Sequence, residues 1–114
     1  MSAITTILLN PGGWADDDDV VAELNARLAP LSPDLPGRWS LRNISTEDHA
    51  WGGTKRPPHL YGGALNHLPF AEFARIAAQL PWSDPEQFQL LVMGDGEGRF
   101  RTLTLADLRA WPTD

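Results

Sequence analysis

The chain has 114 residues, of which 42% are hydrophobic and 21% charged, a size that suits one globular domain over 1–114 and a balance that excludes wholesale disorder. It contains no cysteine, which excludes disulfides, a thiolate nucleophile and cysteine-ligated zinc or iron–sulfur sites. Nine basic residues against fifteen acidic ones leave a formal charge of −6, which repels phosphate backbones and makes nucleic acid a poor partner.

In chain order, Ala3 to Leu9 reads AITTILL, a short β-branched run that predicts a buried strand. No Lys or Arg precedes that apolar stretch and Pro11-Gly12-Gly13 ends it early, so neither a signal peptide nor a membrane span is expected and the expected compartment is the cytoplasm. Asp16 to Asp19 come next, followed by Val20, Val21, Leu24 and Leu28 at helical spacing. Carboxylates at a helix start accept free N–H groups and oppose the helix dipole, and Pro30 and Pro33 stop the helix.

Gly37 to Ser45 alternates around Trp39 and Leu41 and predicts a second strand. Thr46 to His59 is the longest irregular stretch, with Gly52-Gly53 and Pro57-Pro58. Tyr61 to His67 predicts a short strand in which Gly62-Gly63 marks a bulge or a close backbone approach. Pro69 suits the first turn of a second helix, whose stripe is Phe70, Phe73, Ala74, Ala77 and Leu80, ended by Pro81. Asp84-Pro85 is a turn, Gln87 to Met93 a strong strand, Gly94 to Gly98 a hairpin connection and Arg99 to Leu105 a further strand. A short last helix opens at Thr104 or Leu105 and runs through Trp111.

The resulting order is β-α-β-β-α-β-β plus a short C-terminal helix. It predicts an α+β fold on a split β-α-β plan: a mainly antiparallel sheet with two helices on one face.

Chemistry-bearing patterns are sparse. The Gly94–Gly98 and Gly12-Gly13 segments lack the framework of a phosphate or dinucleotide loop and read as turns. His49, His59 and His67 show no spacing for zinc on one helix, and no GxSxG motif accompanies Asp48-His49. Asp16 to Asp19 lack the alternating ligands of a calcium loop, and consecutive helical side chains diverge. No catalytic residue, metal or cofactor is therefore expected. Of the five tryptophans, Trp39 and Trp82 suit the core, whereas Trp51 sits in a polar Gly- and Pro-rich loop and suits either a core edge or an interface anchor. The loop from Glu47 to Tyr61 combines acids, Lys55-Arg56 and aromatics, and is the best candidate contact surface.

Tyr61-Gly62-Gly63-Ala64-Leu65-Asn66-His67-Leu68-Pro69, Glu72-Phe73, Leu80-Pro81-Trp82, Asp84-Pro85-Glu86, Gln89-Leu90-Leu91-Val92 and Phe100 together resemble immunity proteins of bacterial polymorphic toxin systems. The resemblance covers about half the chain and consists mostly of turn and core residues. It implies a small acidic protein that neutralises a cognate toxin, delivered by type VI or contact-dependent secretion, by occluding its active site. An acidic inhibitor suits a toxin with a basic active-site surface. The contacts expected on this reading are Asp16, Asp17, Asp18, Asp19, Asp48, Trp51 and Tyr61. The competing readings are a small-molecule-binding or enzymatic domain using the 47–61 loop, and a structural subunit of a bacterial or phage assembly.

Overall fold

The computed structural model describes residues 4–12, 16–31, 39–45 and 59–112. Its elements are β1 (Ile4–Asn10), α1 (Asp18–Leu28, followed by a 3-10 turn Ala29–Leu31), β2 (Arg42–Asn43), β3 (Tyr61–Asn66), α2 (Phe70–Ala78), β4 (Gln89–Met93), β5 (Arg101–Leu103) and α3 (Leu105–Arg109). The five strands form one sheet in the order β2-β3-β1-β4-β5, and every pairing is antiparallel. The split plan follows directly. Since β3 is antiparallel to both neighbours, β1 and β2 run parallel with β3 between them and α1 as their crossover.

Register decides which side chains meet the helices. Ile7 lies opposite Gly63 and Val92, and Leu9 opposite Tyr61 and Leu90. One face of the sheet therefore carries Ile7, Leu9, Tyr61, Leu65, Leu90 and Val92, all buried. Val21, Leu24 and Leu28 of α1 and Phe73, Ala74, Ile76 and Ala77 of α2 join the same core. Each such Leu, Ile or Val contributes roughly 1.5–3 kcal/mol by leaving water. Leu80 lies past the helix but is still buried, because Trp82 folds back and its indole Nε1 donates to the Ala77 carbonyl at 2.8 Å. Trp82 then packs on Phe88 with ring centroids 5.1 Å apart.

Several local expectations shift in detail. Phe70 is only half-buried: it stacks on Phe73 and meets Trp111 edge-on, so it ties α2 to the segment after α3 instead of facing the sheet. The second strand is two residues long within the stretch expected to pair. Just before it, the Leu41 N–H donates to Asn25 Oδ1 at 2.8 Å and the Leu41 carbonyl accepts from Asn25 Nδ2 at 2.9 Å. One side chain of α1 thus takes both main-chain groups on the outer edge and caps it. The indole of Trp39 reaches β3 in place of its own main chain, with Nε1 donating to the Asn66 carbonyl at 2.8 Å. Gly62 and Gly63 introduce no break in the β1–β3 register, but a Cβ on Gly63 would lie 2.7 Å from the Ser40 carbonyl oxygen. The close-approach reading holds there and the bulge reading does not.

The hairpin glycines Gly96 and Gly98 adopt positive φ, as the connection between β4 and β5 requires. The last helix begins with a capping box: Thr104 accepts from the Asp107 N–H, and Asp107 accepts from the Thr104 N–H at 2.8 Å. Among the described residues no helix is long and apolar enough to cross a membrane.

Candidate functional site

The end of the sheet where β1 finishes, β3 begins and α1 starts gathers the acidic run. Its four aspartates do not behave alike. Asp17 occupies the N-cap position, yet its side chain accepts no helix N–H. It turns inward, is 1% exposed, and accepts from the Ser83 hydroxyl and the Ser83 N–H instead. That contact ties the start of α1 to the segment leading into β4, across 66 residues of sequence. Capping is taken over by Asp16, whose Oδ1 accepts from the Asp18 N–H at 3.0 Å. The outward charge of the run therefore comes from Asp16, Asp18 and Asp19, all exposed.

Asp18 is the hub. Its Oδ1 accepts from the Tyr61 hydroxyl, and Asn43 Nδ2 stands 3.3 Å from the same oxygen. Asn43 is held in one orientation because its Oδ1 accepts from both the N–H of Ser45 at 2.9 Å and its hydroxyl at 2.6 Å. The Asn43 amide thereby points at Asp18 and also at His59 Nδ1, 3.3 Å away. Ser45 and His59 are the residues at which the described chain leaves for, and returns from, segment 46–58. The two regions expected to make contacts are thus joined at their bases, with α1's carboxylates on one side of Asn43 and the loop's stem on the other.

Tyr61 contributes less to any outer surface than expected. Its ring belongs to the core at 2% exposure, and only its hydroxyl reaches Asp18. Burial is the main cause that lifts its phenol well above the ordinary range, followed by the hydrogen bond to Asp18 and the charges of Asp18, Asp16 and Asp17. Asp48, Trp51 and His49 lie outside the described residues.

At the same end of the sheet, on the face away from the helices, Leu8, Asn10, Ile44, Leu60, Gln89 and Leu91 line a hollow of about 300 Å³. Its walls are mostly aliphatic, and Ile44 and Leu60 come directly from the two stems of segment 46–58. A second hollow of about 250 Å³ lies between α2 and α3, bordered by Arg75, Gln79, Arg109 and Trp111. Arg75 is already engaged by Glu72 at 2.6 Å.

Asn43 enters the candidate site although the sequence did not single it out, and His59 enters it although its spacing to His49 and His67 argued against zinc on one helix. Asn43 sat inside a strand pattern and His59 at a loop margin, and neither spacing nor neighbours signalled their contact. For metal chemistry, Asp16, Asp18 and His59 are the group to consider: each places a ligand-capable atom within 4.8 Å of the others. No family model, curated protein or solved structure matches the chain.

Proposed function

We propose that this chain is a protein inhibitor of the immunity type, acting in the cytoplasm by binding a toxin and covering its active site. The observation that carries the reading is the convergence at one end of the sheet. Exposed Asp16, Asp18 and Asp19, both stems of the 46–58 segment and an aliphatic hollow adjoin there. This is the combination a protein interface uses: charge that steers encounter, and apolar surface that holds the complex once water leaves. None of the three exposed aspartates is paired with a basic side chain among the described residues, so their field is directed outward. The partner's complementary surface is basic.

The test is protection in a cell. The protein encoded by the adjoining gene is expressed under tight control, alone and together with this chain. Arrest of growth in the first case and its restoration in the second is the expected result. Toxicity that persists despite a stoichiometric excess of folded chain would refute inhibition of that protein, and a non-toxic neighbour would remove the motive for the class.

A further inference from the structure

We propose that Asp16, Asp18 and His59 form a binding site for a divalent transition-metal ion of the zinc type. In sequence the aspartate run argued against metal, because successive helical side chains diverge. The structure removes that objection. Asp16 precedes the helix, Asp17 turns inward to Ser83, and Asp18 points outward, so the first and third carboxylates come to one side. The third donor arrives from a segment 41 residues further on and is an imidazole. Two carboxylates and one imidazole, with ligand-capable atoms within 4.8 Å of one another, make a mixed oxygen–nitrogen set. Borderline ions such as zinc accept that set, and three protein donors leave a further position for water or a partner's side chain.

Among the described residues the hydrogen bonds to Asp18 all fall on Oδ1, and the one to Asp16 falls on its Oδ1, which leaves the second oxygen of each open to a cation there. Asn43 marks the remaining lone pairs. Its amide nitrogen lies 3.3 Å from both Asp18 Oδ1 and His59 Nδ1, longer than the usual 2.9–3.0 Å of such bonds. In the tautomer with Nδ1 unprotonated, His59 faces the same point as an anionic oxygen, and a cation offers both a stronger partner than this amide. Tyr61 donates to Asp18 from the core and orients it, the part that outer hydrogen bonds play around metal-binding carboxylates.

The proposal stands independently of the toxin reading and is tested on the free, full-length chain. Zinc chloride is titrated calorimetrically into the chelator-stripped protein and into the variants D16N, H59Q and D19N. One saturable site is expected, weakened at least about tenfold by D16N and by H59Q. D19N removes the same charge from the same run without removing a proposed ligand, and should bind as the parent does. No saturable binding, or equal weakening by D19N and D16N, overturns the site in favour of diffuse electrostatics. Should H59Q fold poorly, manganese-induced broadening of the parent's amide signals replaces it. Broadening centred on Asp16, Asp18, Asn43, His59 and Tyr61 supports the site. Equal broadening at Asp95 and Glu97, in the hairpin at the other end of the sheet, overturns it.

Discussion

Replacing Phe73 with alanine is the sharpest perturbation of the layer that carries the site. Phe73 is fully buried on α2, in the one core that the helices share with the sheet. A phenylalanine side chain withdraws roughly 150–250 Å² from water, which at about 25 cal/mol per Å² corresponds to about 4–6 kcal/mol for the whole group. Alanine retains Cβ, and a compact unfolded chain already buries part of that area, so the transfer part is smaller. The cavity left beneath a helix fixed at both ends adds back to it, and the expected loss is about 3–5 kcal/mol. Urea unfolding followed by tryptophan fluorescence and by far-ultraviolet circular dichroism measures this. The midpoint should fall with little change in slope, and the two probes should coincide. In a thermal scan the loss corresponds to a drop of at least about 12 °C. A loss below about 1 kcal/mol would refute the packing of α2 described above.

Other outcomes follow from individual contacts. Gly63→Ala should cost about 1–3 kcal/mol, because the new Cβ meets the Ser40 carbonyl oxygen at 2.7 Å and backbone yields little; chemical denaturation checks it. Asp17→Ala should cost about 1–3 kcal/mol by stripping Ser83 of its acceptor, whereas Asp19→Ala, at an exposed position, should stay within about 0.5 kcal/mol of the parent. Tyr61 is the sole tyrosine, so absorbance at the tyrosinate band reports it alone. Its pKa is raised in the folded chain, so the unfolded chain releases the phenolic proton first. Stability from this group is complete below the unfolded pKa of about 10 and declines as pH rises above it. In chelated buffer, tyrosinate should therefore appear together with loss of the circular dichroism signal; ionisation in a fully folded chain would contradict the buried hydroxyl.

What could be read from the sequence was what repeats locally. The spacing of Val21, Leu24 and Leu28, the pairing of Phe73 with Ala77, and the glycines at 96 and 98 each act within one element, and each led to the element found. Together they yielded the α+β order. The features that build the candidate site act across the chain instead. Asp17 reaches Ser83, Asn25 takes both main-chain groups of Leu41, and Asp18 meets Tyr61. A polar side chain gives no periodic signal of which distant group it will meet. The aspartate run therefore read as four equal carboxylates, although one is a buried strut and three are outward charge. Tyr61 read as part of a contact loop because it borders one, while its register opposite Leu9 places the ring in the core.

On the proposed reading the acidic end of the sheet meets a basic partner. Association kinetics of the adjoining gene's protein product with the parent chain and with a D16N/D19N double variant, across a salt series, check this. Both positions are exposed and neither contacts Tyr61 in the described structure, so the fold should be unaffected. At low salt the variant should associate about 3–10 times more slowly, with its dissociation rate nearly unchanged. The difference should shrink as the Debye length falls toward about 3 Å at 1 M salt. Equal association rates for both proteins at every salt concentration, with tight binding retained, would contradict the claim and move the interface elsewhere on the molecule.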